Sequence, residues 1–347
     1  GAGTAYFLGR MGIRDVVIVE QEELPGMHAS GRNAALGRQL TEDDTFTTLA
    51  MKGAKFLRSP PADFSPRPLL GDEGSLLVAS SEETLAALLT RARAHDLPWA
   101  ILAPQTLETR WPLLRGMHCV GAVSFPTDGV IDIHGLLDGY LRAARSAGAR
   151  VQTSTTVTLI TSGPESVVLS TTRGTIVARC AVIAAGAWAG ALGARSGSDD
   201  RGLRPFRRHL FLTTRNAEVL PHAPFVWHLD DPFYVRPESG GLLMSGCDAE
   251  PHPPGLPAPV AAETERLARR LETLAPRLAD LPLSRSWACL RTFMPSGGPL
   301  VDWDPTVSRL FWVAGLGGHG ATTSAAVGEL AAARIVKRLA ATGERRV

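Results

Sequence analysis

The sequence has no run of eighteen apolar residues, so no part of its 347 residues is expected to cross a membrane as a helix. Cysteine is scarce and scattered. Cys119, Cys180, Cys247 and Cys289 form no C-x-x-C pair, which leaves neither a zinc site nor a redox dithiol to expect. No metal is expected, and a reducing, cytoplasmic setting is the simplest one, with a signal peptide left open. Neither sign of charge is in excess: 36 basic against 34 acidic residues leave a net charge of +2. With no basic block and no interleaved aromatic stripe, nucleic acid is not an expected partner. Internal repeats and low-complexity tracts are missing too. The 35 glycines and 25 prolines are spread between periodic segments, which marks a turn-rich globular chain long enough for two lobes.

What is present is concentrated first in residues 1 to 35. Gly1-Ala2-Gly3-Thr4-Ala5-Tyr6-Phe7-Leu8 reads as a small-residue helix, Gly12 as a turn, and Val16-Val17-Ile18-Val19 as a strand ending in one acid, Glu20. This is most of a dinucleotide-binding βαβ unit, in which a helix opening on glycine faces a pyrophosphate and an acid at the end of the second strand takes ribose hydroxyls. Glu20 lies nineteen positions after Gly1, so Gly1 fits the last glycine of a G-x-G-x-x-G fingerprint better than the first. The expectation is that the first strand and first two glycines precede the sequence given, and its lack of an initial Met agrees. A small-residue helix start on an ordinary α/β domain is the alternative.

Beyond Glu20 a loop is expected, with Ser30-Gly31 entering a helix. Phe46, Leu49, Ala50, Gly53, Phe56 and Leu57 repeat at helical spacing, and Ser59-Pro60-Pro61 ends that helix; a composition shift near residue 60 marks a change of lobe. Residues 74–79 read as a strand, 81–95 as an amphipathic helix with Ser80 and Glu83 at capping-box spacing, and 132–148 as a helix capped by Asp132. Short strands follow, with Gly163-Pro164 and Arg173-Gly174 as hairpin turns. They end in Ala181-Val182-Ile183-Ala184-Ala185-Gly186-Ala187-Trp188, either a plain core strand or one that delivers a glycine to a ligand. Strands bracket Ser239-Gly240-Gly241, a charged helix covers 263–274, and a strand covers 286–292. Finally Leu310-Phe311-Trp312-Val313-Ala314 runs into Gly315-Leu316-Gly317-Gly318-His319-Gly320 and a helix from about 322. Backbone N–H groups and a helix dipole can face an anion or a ring carbonyl there. Loops of this kind at both ends of the chain suit a long cofactor.

Six segments taken together resemble the D-amino-acid-oxidase-like flavoproteins, the superfamily of glycine oxidase, sarcosine oxidase and sarcosine dehydrogenase. They are residues 1–20, Ser30-Gly31-Arg32-Asn33-Ala34-Ala35, Pro126-Thr127-Asp128-Gly129-Val130-Ile131-Asp132, Ala184-Ala185-Gly186-Ala187-Trp188, Trp287-Ala288-Cys289-Leu290-Arg291-Thr292 and Gly315 to Gly320, in the family's order. The resemblance implies FAD as cofactor and a two-lobe fold of mixed α+β and α/β character. A discontinuous, Rossmann-like FAD lobe would take residues 1–60, 126–200 and 305–347; a mixed-sheet substrate lobe would take 61–125 and 201–304. It also implies roles: Gly1 at the pyrophosphate, Glu20 at the adenosine ribose, Ser30 to Ala35 at the pyrophosphate and ring, Val157 at the adenine, and Gly186 on the phosphate side. Gly315, Gly317, Gly318, His319, Gly320 and Thr322 fall at the pyrimidine end of the ring.

On the substrate side, Arg291 matches an arginine that pairs with the substrate carboxylate, and a planar guanidinium suits a bidentate grip. A surface arginine at a strand end is the bland alternative. Tyr234 matches a tyrosine lining the substrate side, or is a core aromatic, and Arg38 is a weaker candidate for a second anion contact. Cys289 falls where some members join the flavin covalently, though a small buried thiol needs no chemistry there. Ser296 replaces an acid found in many relatives. Met244 falls near a lysine that oxidases of the family use with oxygen, which tilts toward a dehydrogenase. The expected reaction is FAD-dependent oxidation of the C–N bond of a small amino acid or N-methyl amino acid, by hydride transfer to flavin. Oxygen or another carrier would accept the electrons, and homo-oligomer or complex-subunit status is left open. The rivals are a hydroxy-acid or polyol-phosphate dehydrogenase on the same fold, and a catalytically silent flavin-binding subunit of a larger dehydrogenase complex.

Overall fold

The computed structural model describes residues 1–341. Helix Ala2–Arg10 has no side-chain cap at Gly1, and its small residues serve packing. A Cβ on Gly3 would stand 3.1 Å from the Ser324 carbonyl oxygen, and one on Gly328 would stand 2.8 Å from Gly3. The two helices, Ala2–Arg10 and Ser324–Ala341, therefore touch backbone to backbone, an approach open only to glycine. Helix Asp44–Arg58 begins where the Asp43 carboxylate accepts the Phe46 N–H at 2.9 Å. It packs the same way at its middle: a Cβ on Gly53 would lie 1.8 Å from the Thr322 carbonyl oxygen. Helix Ile133–Ser146 is capped by Asp132, as expected, through the Gly135 N–H at 2.8 Å. Its Tyr140 joins Tyr6, Phe56 and Phe64 in one aromatic cluster, with ring centroids 5.0 to 6.3 Å apart where they meet Tyr140.

Strand Val17–Val19 pairs in parallel with Arg150–Gln152, and Ala181–Ile183 pairs in parallel with Leu310–Ala314. The lobe boundary expected at 304 puts Leu300–Trp303 in the substrate lobe. Instead that strand pairs antiparallel with Leu310–Ala314, its Val301 buried against Val313. A separate three-stranded meander, Val157–Ser162, Val167–Thr171 and Gly174–Ala178, turns at Gly163-Pro164 and Arg173-Gly174 as expected.

The other lobe is a nine-stranded mixed sheet. Strands Ser75–Ala79, Gly121–Phe125 and Ala100–Leu102 come from the first half of the chain. Strands Arg204–Thr213, Phe225–His228, Phe233–Glu238, Gly241–Ser245, Glu250–Pro251 and Leu283–Phe293 come from the second. Its longest pairing runs from Arg204 opposite Phe293 to Thr213 opposite Leu283, so the strand expected over 286–292 is longer than its apolar signal. Side chains alternate across this sheet. Phe211, Val235, Leu242 and Met244 pack outward onto Leu267 and Leu271 of helix Ala261–Leu274, whereas Leu210, Tyr234, Leu243 and Cys289 face inward with Ala34. Each fully buried Leu or Phe of the outer core contributes roughly 1.5–3 kcal/mol relative to exposure.

Two local expectations fail for identifiable reasons. The helix Glu82–Ala94 is capped by Ser81, which is extended and accepts the Thr84 N–H at 3.2 Å, so the Ser80/Glu83 capping box does not form. Ser80 instead gives its own N–H to Asp230 at 2.7 Å. Ser30-Gly31 starts no helix; Asn33 accepts the Ala35 N–H at 2.7 Å and closes the segment as a turn.

Candidate active site

The segment from His28 to Thr41 runs between the two lobes and is tied to both. Arg32 donates through Nε to the Ala288 carbonyl at 3.3 Å, and Trp287 Nε1 donates back to the Arg32 carbonyl at 3.1 Å. Arg236 Nε reaches the Ala34 carbonyl at 2.7 Å, Ile131 N–H reaches Ala35 at 2.8 Å, and Thr322 Oγ1 reaches Leu36 at 3.2 Å. Ala35 itself has φ +58°, a left-handed conformation that a non-glycine residue adopts only when its surroundings demand it. Further on, Gln39 gives both its backbone N–H and its side-chain amide to the buried Asp128, which also accepts from Ser75 Oγ at 2.6 Å. Sequence reasoning gave Asp128 no role beyond its place in the segment Pro126 to Asp132 and missed Gln39, because their partners lie about fifty to ninety positions away.

Facing this segment are the glycine loop and the inner face of the nine-stranded sheet. A Cβ on Gly318, whose φ is +113°, would lie 3.2 Å from both Cδ and Nη1 of Arg291, and one on Gly317 would lie 3.0 Å from the Phe293 ring. Arg291 therefore sits directly under the loop. Its Nε and Nη2 are buried and without any hydrogen-bond partner. Tyr234 is on the same face, stacked at a tilt 4.9 Å from Trp227, while Arg38 lies 4.7 Å above the Trp227 ring and pairs with Glu42. Burial raises the Tyr234 phenol above its ordinary value, so it stays a neutral hydroxyl. Burial also pushes the Cys289 thiol up to about 11, although the nearby Arg208 and Arg32 charges pull the other way. His319 rests 5.0 Å from the Phe46 ring, and burial, with Arg38 beside it, pushes its imidazole down to about 4.

The remaining expected residues form a second group. Gly1 abuts the end of strand Ala181–Ile183, where a Cβ would lie 3.5 Å from Ala184 Cβ. Just beyond, Gly186 has φ +52° and open space where a Cβ would be. Glu20 is tied to strand Arg150–Gln152 by its N–H and accepts the Thr155 N–H through its carbonyl at 2.9 Å, which brings the meander strand containing Val157 beside it. Met244 does not face this site. It is buried in the outer core, and Leu243 and Ser245 take the inward positions beside it; the chain's lysines, Lys52, Lys55 and Lys337, all lie on helices. Ser296 is exposed in the turn after Phe293. His209, Asp248 and Glu263 bring ligand-type atoms within 4.8 Å of one another. These groups already have partners: Val260 N–H donates to His209 Nε2 at 3.0 Å, so Nδ1 carries the proton toward Asp248, and Glu263 pairs with Arg266.

A profile of the family described as DAO, FAD dependent oxidoreductase, matches residues 1–334. The chain belongs to this DAO family of FAD-dependent oxidoreductases. It is 25% identical to a glycine oxidase of Bacillus licheniformis over 97% of its own length and 90% of that protein. It is also 25% identical to the mitochondrial pyruvate dehydrogenase phosphatase regulatory subunit of Mus musculus over 96% of its length, but spans only 40% of that longer protein. Among solved structures, glycine oxidase from Geobacillus kaustophilus superimposes with a TM-score of 0.83 at 26% identity, covering 97% of this chain and 92% of that one.

The geometry fits the DAO cofactor. FAD needs donors for its phosphates and ring carbonyls and room beside backbone. Among the described residues the amides of Gly318, Gly320 and Ala321 donate to no protein acceptor, whereas Gly317 N–H is held by Thr292 and His319 N–H by Leu316. The open, left-handed Gly186 offers a cradle a Cβ would fill. No helix of the described residues is long and apolar enough to cross a membrane.

Proposed function

We propose that the chain oxidises the C–N bond of a small amino acid or N-methyl amino acid, giving an imine that water hydrolyses. The observation that carries this is Arg291: a guanidinium with two buried, unpartnered nitrogens, under the glycine loop and on the face that holds Tyr234. A buried guanidinium cannot shed its proton, so it calls for an anion, and a carboxylate matches its fork. Bound FAD supplies the two-electron acceptor for a hydride leaving the substrate carbon. Gly1, Glu20, Ser30 to Ala35, Val157, Gly186 and Gly315 to Thr322 would hold it, the lobes dividing near residues 60, 125, 200 and 300.

The chain's own residues then have defined tasks. Arg291 fixes the carboxylate, and thereby which C–H points at the glycine-loop side. The positive charges of Arg291 and Arg38 disfavour an ammonium and so favour the unprotonated amine that the reaction requires. Tyr234, kept protonated by burial, donates a hydrogen bond and removes no proton. His319, uncharged above about pH 4, supports the loop without adding charge. The inner face carries no lysine, in keeping with an acceptor other than oxygen. A thiol held near pKa 11 favours a packed, non-covalent role for Cys289. The cytoplasm remains the proposed setting. One observation favours a second reading, a catalytically silent subunit: the mouse relative covering 96% of the chain is named a regulatory subunit.

The test is a substrate screen of flavin-loaded protein with an artificial electron acceptor. Turnover of amino acids is the expected result, and loaded flavin without turnover of any amine would overturn the reading in favour of the silent subunit. Acid precipitation should leave the flavin in solution; colour in the pellet would make Cys289 the point of attachment.

A further inference from the structure

The inner face of the sheet holds more unanswered positive charge than one carboxylate requires. Arg208 is only 7% exposed, and its buried Nη1 has no hydrogen-bond partner. Among the described residues its side chain makes one hydrogen bond, from Nε to the backbone carbonyl of Asp248 at 2.7 Å. The Asp248 carboxylate is held by His209, through Nδ1 at 2.8 Å and the backbone N–H at 2.9 Å. Among the described residues Arg208 forms no ion pair. Arg38 and Arg236, equally buried, do have partners: Glu42 for the first, Glu238 for the second.

Register places Arg208 relative to Arg291. Arg208 stands opposite Cys289, and Phe206 stands opposite Arg291, so the two arginines are diagonal neighbours on one face of an antiparallel pair. Such neighbours have Cα atoms about 7–8 Å apart, within reach of the two ends of one small molecule. The nearest negative charge is the Asp248 carboxylate, which the Arg208 charge helps hold below its ordinary value but which spends its hydrogen bonds on His209 and forms no ion pair with Arg208. The thiols of Cys247 and Cys289 are pushed up to about 11, and the Tyr234 phenol is raised as well, all by burial. A permanently charged guanidinium whose buried Nη1 has no hydrogen-bond partner is unfavourable until a ligand supplies an acceptor there.

We propose that Arg208 forms a second anion subsite, so that the substrate class is a small amino acid or N-methyl amino acid bearing two carboxylates. This rests on the reading above, in which Arg291 takes the first. Arg208 is a specificity residue here, and the C–N chemistry does not depend on it.

The test uses FAD-loaded protein and two unreactive probes, succinate and propionate, titrated by calorimetry. Succinate should bind roughly tenfold or more tighter than propionate, the size expected for one further charged hydrogen-bonded contact. Arg208→Gln should erase that preference while leaving propionate affinity within about twofold, and Arg291→Gln should weaken both probes. Equal affinity in the parent protein, or a preference that survives Arg208→Gln, overturns the Arg208 subsite and leaves Arg291 intact. Binding of neither probe overturns the carboxylate anchor at Arg291 and the subsite together. Should Arg208→Gln fail to fold, the comparison of probes on the parent protein still decides.

Discussion

The two faces of the nine-stranded sheet are built from the same strands and serve opposite ends. Phe211 and Met244 point outward and are 1% and 2% exposed among apolar side chains of helix Ala261–Leu274. On the same strand as Phe211, Leu210 one position away and Arg208 three positions away point inward, toward a surface where guanidinium groups lack partners. The outer face stabilises the lobe by removing apolar area from water. The inner face contributes less to stability because it buries guanidinium nitrogens without hydrogen-bond partners, and what it withholds there is available to a ligand. Period-two alternation is what allows one strand to do both.

That contrast can be broken from either side. The largest effect is expected on the outer face: Phe211→Ala should lower unfolding free energy by about 3–5 kcal/mol in denaturant titration, leaving succinate affinity of the folded fraction unchanged. A loss below about 1 kcal/mol would mean that the outer core is not what holds the lobe. On the inner face, Arg291→Ala should raise the substrate constant by the equivalent of roughly 2–4 kcal/mol while hardly moving the denaturation midpoint. An unchanged constant removes Arg291 from the site.

A smaller effect separates two buried ionisable groups on the inner side. Asp128, fully buried, has its carboxyl pushed up to about 6 by burial, and His319 is pushed down to about 4. In the unfolded chain they titrate near their ordinary values, about 3.9 and 6.5. Between these limits folding takes up a proton at Asp128 and releases one at His319. The Asp128 contribution is complete below about pH 3.9 and is lost as pH rises through 6; that of His319 is complete above about 6.5 and is lost as pH falls through 4. The two oppose each other. Relative to the parent, Asp128→Asn should make stability climb more steeply with pH, and His319→Gln should make it climb less, each by up to about 1.4 kcal/mol per pH unit. Parallel profiles for all three proteins would contradict both assignments. The smallest effect lies away from the sheet: Glu20→Ala should weaken FAD by about 1–2 kcal/mol in an equilibrium titration of apoprotein, with the carboxylate probes unaffected in the loaded form.

Much of the local structure was legible because it rests on neighbours in sequence. Asp132 caps its helix, Gly163-Pro164 and Arg173-Gly174 turn the meander, and Gly315 to Gly320 form the loop expected of them. Where two neighbours offer the same chemistry, local rules fail. Ser80 and Ser81 are chemically alike, and the choice between them follows from Asp230, which accepts from both and lies 149 positions beyond Ser81. Met244 illustrates the period-two hazard: a shift of one residue moves a side chain from the site to the core. Arg208 gave no signal at all, since nothing in the adjacent Arg207-Arg208 says which will be buried. The pairing with Leu283–Phe293 decides it: Arg207 reaches Glu250 at the edge, whereas Arg208 turns inward opposite Cys289.

By itself, then, the sequence determined the family, the cofactor and the glycine-lined loops, because backbone conformation at a glycine and the order of short motifs are properties of contiguous residues. Tertiary structure alone decided which arginines lose their water and their partners. Desolvation of a charge depends on every element packed around it: Arg291 lies under the separate loop at Gly318, and Arg208 lies against the backbone at Asp248, forty positions away.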